Sequence, residues 1–171
     1  MDRVSAEIQV GGDLSSGAVD ALCQAITAQG VSWVHGDALF APESAADLLE
    51  VVDEAGHLHL YCDAAAYGMF SELEEHLTAL GLPFDRKSEA GAGFDAELEA
   101  FRPGNETQQL LLDGDGKPVV SLKDVLAAID LIEAGQGPEA ASLLVRKSGR
   151  DLAPLPPLRI VTAEAACSPA P

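Results

Sequence analysis

A chain of 171 residues with 47% hydrophobic content suits one globular domain, residues 1–150, followed by a proline-rich tail, residues 151–171. Ten Lys and Arg stand against 28 Asp and Glu, a net charge of −18, and residues 4–85 hold 14 of the acids with no Lys or Arg among them. That balance argues against direct contact with nucleic-acid phosphates or an anionic membrane, and in favour of a basic protein surface as partner. The opening MDRVSAEIQV lacks a basic region leading into an apolar run, and no apolar stretch approaches the ~20 residues of a membrane span, so a cytoplasmic protein is expected. Cys23, Cys62 and Cys167 are odd in number and far apart, which suggests neither a disulfide framework nor a zinc knuckle.

Val4, Ala6, Ile8 and Val10 alternate with Ser5, Glu7 and Gln9, the pattern of a half-buried strand over residues 3–10. Gly11-Gly12-Asp13 turns the chain. Ser15 or Ser16 then caps a helix whose apolar face is Val19, Leu22, Cys23 and Ile26, stopped by Gly30. Residues 31–35 and 38–40 read as a second strand bent at Gly36-Asp37, with Trp33 in the core or on a sheet face. Pro42 opens a second helix with Ala45, Leu48, Leu49 and Val52 inward, ending at Gly56. Residues 57–63 read as the central strand of the sheet. Ser71 and Glu74 form a capping-box pattern for a third helix, with Phe70, Leu73, Leu77 and Leu80 inward and Gly81 and Pro83 at its end.

Residues 82–88 and 94–101 make two further strands, a short helix being the alternative for the second. Residues 110–112 and 119–120 form a hairpin around the Asp-Gly-Asp-Gly-Lys turn at 113–117. Ser121 with Asp124 caps a fourth helix with Leu122, Val125, Ile129 and Ile132 inward, and residues 139–147 make a last short helix. Residues 158–161 can pair onto a sheet edge. The order predicts an α+β domain, a two-layer sandwich with helices on one face of a mixed β-sheet. A three-layer α/β arrangement is the alternative, because the early β-α alternation permits parallel crossovers.

His57 and His59 share one face of their strand, so both imidazoles can reach one metal from about 7 Å apart or less, with Asp63 and His35 as further ligands. A small metal-dependent enzyme is therefore one alternative. Two histidines on a solvent-facing strand are the commoner outcome, and no metal or cofactor is expected. Cys62 beside Asp63 lacks the electropositive setting that a nucleophilic thiolate needs. The turn at 113–117 has Lys117 where a calcium loop needs an oxygen ligand, and Asp124 where it needs Glu. No phosphate-binding, nucleophile-elbow or HExxH motif occurs, and no catalytic residue is assigned.

Glu43, Asp47, Glu50 and Glu54 fall at i, i+4, i+7 and i+11 along the second helix. With Asp53 beside them and Glu72 and Glu75 facing outward on the third helix, they form the candidate partner-binding set. A solvated helix face explains such a stripe equally simply, except that ordinary solvated faces intersperse Lys with Glu, and this one does not. Carboxylates about 5–6 Å apart on a rigid helix match a row of Arg and Lys that grips a phosphate backbone.

YGMFSELEEHLTALGLPFDR (67–86), FRPGN (101–105) and DGDGKPVVS (113–121) together resemble small uncharacterised acidic proteins carried on bacterial plasmids and integrative elements. The resemblance spans roughly residues 60–135, and its motifs are structural. It implies no activity. It implies a mobile-DNA setting in which small acidic inhibitors of host defence, such as anti-CRISPR proteins, are common. The expectation is a non-enzymatic, nucleic-acid-mimicking inhibitor. A structural homo-oligomer of a mobile element, paired through a sheet edge, is a further alternative.

Overall fold

The computed structural model describes residues 2–34 and 38–162. Its organising strand is β1 (Arg3–Val10), whose alternation buries Ala6, Ile8 and Val10. β1 pairs antiparallel with β3 (Leu58–Ala66) on one side and with β4 (Phe84–Ser88) on the other. The sheet continues through β5 (Glu97–Phe101), β6 (Gln108–Leu112) and the two-residue β7 (Pro118–Val119), in the order β3-β1-β4-β5-β6-β7. All of these pairings are antiparallel. The one parallel ladder among the described residues is separate and joins β2 (Asp13–Ser15) to β8 (Arg159–Val161). The class is α+β.

Helices α1 (Val19–Gln29), α2 (Ala45–Glu50) and α3 (Ser71–Leu80) cover one face of the β3-β1-β4 half. Leu22, Ile26, Leu48, Phe70, Leu73 and Leu77 there meet Ile8, Val10, Leu58, Leu60 and Phe84 in one core. Two C-terminal helices, α4 (Leu122–Glu133) and α5 (Gly137–Lys147), form a hairpin at the β6 end. Leu110, closed over by Gly149, is paired with Leu98, and Leu98 with Lys87. These residues point away from Ile8 and Arg86, because adjacent strand residues face opposite ways. The hairpin therefore packs on the sheet face opposite α1 and α3.

Several elements depart from the pattern-based expectation. Residues 31–34 and 38–40 are not a strand. Only Ser32 bridges to Tyr61, and Phe40 donates its N–H to the Val31 carbonyl to close a loop. The run is apolar without alternating burial: Val31 is buried, while Trp33 and Val34 are 46% and 37% exposed. β3 is consequently an edge strand, and β1 takes the inner position. The second helix stops at Glu50, six residues short of Gly56. Val52 bridges to Leu58, and Asp53 Oδ1 accepts the N–H groups of Ala55 and His57, which turns the chain before another helical turn can form. Leu49 lies exposed while Leu48 is buried. Phe70, not Ser71, is the N-cap of α3, although Glu74 still reaches back to bond the cap N–H.

The largest departure is α4. Its Ser121 cap forms as the sequence indicates, but Leu122, Val125, Ile129 and Ile132 face solvent. The side that packs on α5 is the one carrying Asp124 and Ala128, with Asp124 4.0 Å from Lys147. The stretch from Asp151 runs back along the domain. The Pro156 and Pro157 carbonyls accept the Gly12 N–H, Leu158 is buried in the main core, and β8 adds to β2. Among the described residues, no helix is long and apolar enough to cross a membrane.

Candidate functional site

Two arginines that follow the acidic half, Arg86 and Arg102, are drawn inside. Arg86, 1% exposed, sits on the core face of β4, opposite Ile8 on β1 and Glu99 on β5. Its Nη2 lies 2.9 Å from Glu97 and 2.7 Å from Glu99, its Nε lies 2.9 Å from Glu74, and its Nη1 donates to the Gly68 carbonyl. Three carboxylates thus surround one guanidinium. Burial pushes the Glu74 carboxyl above the usual range, against the pull of the Phe70 N–H and Arg86. Arg102 donates from Nη1 and Nη2 to the two Asp85 oxygens, a fork geometry suited to a carboxylate, and from Nε to the Ala153 carbonyl.

The seven acidic residues singled out in the sequence divide by what holds them. Asp47 accepts the Glu43 N–H at 2.8 Å, and its own N–H donates to Ser44 Oγ. The Glu43 bond, ahead of Ser44, keeps the Asp47 carboxyl below the usual range. Asp53 takes the Ala55 and His57 N–H groups and the Gln9 amide. Both are part of the local backbone architecture. Glu43, Glu50, Glu54, Glu72 and Glu75 are exposed, and none has an ion pair among the described residues. Glu43 precedes α2 and Glu54 follows it, so the stripe is a short helix flanked by two turns and not a single rod. α3 packs along α1, and Cys23 of α1 lies 4.0 Å from the Ser44 carbonyl that begins α2, so α1 is the element both acidic groups touch.

The opposite sheet face carries the histidines. His57 Nε2 meets the Leu155 carbonyl at 3.0 Å, and its Nδ1 lies 3.6 Å from Asp53. His59 Nε2 is 3.1 Å from Glu7, and its Nδ1 is 2.9 Å from the Tyr61 hydroxyl, with the two ring centroids 4.3 Å apart and the planes tilted by 31°. Lys87 completes the row, 3.4 Å from Glu7. The His59 bond, outweighing burial, holds the Glu7 carboxyl below the usual range. Burial first, then Glu7 and Asp53, push the Tyr61 phenol up. A phenol whose ionisation is disfavoured in this way is not activated as a nucleophile. A metal on His57 and His59 would have to displace partners from both ring nitrogens of each. Asp63 is exposed on this strand, and His35 lies outside the described residues. No three His, Cys, Asp or Glu side chains group as metal ligands among the described residues. Cys62 is half-buried on the core side, and burial pushes the Cys23 thiol up.

Pattern reading missed the Arg86 cage and the Glu7–His59–Tyr61 row. The first had a signal, since Phe84, Arg86 and Ser88 alternate in phase, and a buried Phe84 carries Arg86 inward with it. The second depends on strand register, which no local pattern states. Compared with known protein families, with curated protein sequences and with solved structures, the chain matches none.

Proposed function

We propose that the protein is a non-enzymatic binder of a basic protein surface, acting as a nucleic-acid mimic that occupies the cationic groove of a nucleic-acid-binding protein. The observation that carries this reading is the set Glu43, Glu50, Glu54, Glu72 and Glu75. These carboxylates are exposed and unneutralised on a surface drawn from a stretch without one Lys or Arg. Arg and Lys arranged to hold phosphates offer such carboxylates charge-assisted hydrogen bonds. With α2 only six residues long, the match is one of charge density over α2, α3 and their turns. A target among host defence systems is part of this proposal, being the setting that the sequence resemblance of residues 60–135 implies.

The test is capture of partners by the tagged full chain from a bacterial lysate, followed by mass spectrometry. The expected result is enrichment of basic nucleic-acid-binding proteins, lost at about 0.5 M salt because exposed charges are then screened within a few Å. The triple reversal Glu43→Lys, Glu50→Lys and Glu54→Lys leaves the structural carboxylates Asp47 and Asp53 in place and should abolish capture. Capture that survives both the reversal and the salt sinks the reading.

A further inference from the structure

We infer that the exposed face of α4 is the surface on which two copies of this chain meet, with their α4 helices antiparallel. Leu122, Val125, Leu126, Ile129 and Ile132 are between 37% and 74% exposed. At about 100° per residue they occupy one arc, and 122, 125, 129 and 132 follow the spacing of a helix-pairing seam. A contiguous apolar stripe of this kind on an otherwise charged chain marks an interaction surface.

Charge identifies the occupant as a second copy. Residues 121–150 contain four bases (Lys123, Arg146, Lys147, Arg150) and four acids (Asp124, Asp130, Glu133, Glu139), so the entire net charge of −18 lies elsewhere in the chain. The hairpin is the region where two such chains can approach with the least repulsion. Along α4, exposed Lys123 flanks the first turn, and exposed Asp130 and Glu133 flank the last two. An antiparallel pair centred near residue 127 sets Lys123 of each copy beside Asp130 and Glu133 of the other. A parallel pair would oppose Lys to Lys and Glu to Glu. The edge-pairing route is less suited: β7 has two residues, and β3 is partly covered by Ser32.

Sedimentation equilibrium of the full chain tests this. At about 100 µM the expected mass is twice the 17.7 kDa chain. Ile129→Glu should weaken the dimer by about tenfold or more, with far-UV circular dichroism unchanged because the side chain is already exposed. Lys123→Glu should weaken it comparably, and adding Asp130→Lys and Glu133→Lys should restore it. If Ile129→Glu fails to fold, the Lys123 series decides. A monomeric wild type at that concentration overturns the inference, including one whose stripe is covered by residues 163–171. So do a dimer indifferent to Ile129→Glu and a triple charge reversal that stays as weak as Lys123→Glu alone.

Discussion

Glu74 Oε1 lies 2.9 Å from Arg86 Nε and accepts the Phe70 N–H at the same distance. One carboxylate therefore closes the first turn of α3 and neutralises a guanidinium on the sheet below it. Through Glu97, Glu99 and the Gly68 carbonyl, the same guanidinium ties β5 and the turn before α3 to β4. A buried charge is tolerated when it is paired and hydrogen-bonded, and Arg86 has four oxygen neighbours.

Removing the guanidinium should be far more damaging than removing any one carboxylate. Arg86→Ala strands three acids around a cavity and is expected to lose about 3–5 kcal/mol, or to prevent folding. Glu97, 30% exposed, keeps access to water, so Glu97→Gln should lose less than about 1 kcal/mol. Urea unfolding of the two variants checks the contrast, and equal losses would show that the cage is not centred on Arg86.

Acid and base limbs of stability should separate two glutamates. The Glu7 carboxyl is depressed in the fold, chiefly by His59, so its contribution is present above the ordinary glutamate value of 4.5 and is lost as pH falls through its folded pKa. Glu74 shifts upward through burial, so its contribution is fully present below the unfolded value and is lost as pH rises through the folded one. Glu7→Gln should thus flatten the fall in stability below about pH 4.5, and Glu74→Gln should gain on wild type as pH rises above it. Denaturation midpoints taken from about pH 3 to pH 7 read both slopes.

Gly68 and Gly81 are both left-handed, at φ +69° and +67°, yet their substitution should differ in cost. A Cβ on Gly68 would stand 2.4 Å from Ser88 Cβ and disturb the carbonyl that serves Arg86, whereas one on Gly81 meets nothing within 4 Å. Gly81→Ala should lose about 1 kcal/mol from backbone strain alone, and Gly68→Ala at least about 2–3 kcal/mol. Thermal melts of the pair test this.

Leu158, 5% exposed, belongs to the main core although it follows three prolines in a stretch that reads as a tail. Leu158→Ala should lose about 2–4 kcal/mol, as for a core leucine elsewhere. A loss under about 0.5 kcal/mol, the usual range for a surface position, would restore the tail reading.

Local features were legible where short-range physics decides them. The alternation of residues 3–10 gave β1, the spacing of Val19, Leu22, Cys23 and Ile26 gave α1, and Ser121 with Asp124 gave the cap of α4. Asp113 Oδ1, accepting the Asp115 and Lys117 N–H groups, closes the hairpin turn by the Asx chemistry its sequence announces. Of the candidate site, the sequence showed which residues are acidic and that no bases accompany them. It did not show that Asp47 and Asp53 are held by backbone N–H groups, because the first bond depends on where α2 starts and the others on where it stops.

By itself, then, the sequence determined the α+β class, most helix and strand positions and the acidic surface of the N-terminal half, since these follow from periodicity, capping and composition. Only the tertiary structure decided what each face meets. α4 and α1 carry equally regular apolar stripes, yet α1 buries its stripe on the sheet while α4 turns its own to solvent. Arg86 and Lys87 are neighbours in the chain, and strand register sends one into a carboxylate cage and the other to the open face. Periodicity states that a face exists; burial and charge pairing depend on partners far away in the chain, which no local pattern encodes.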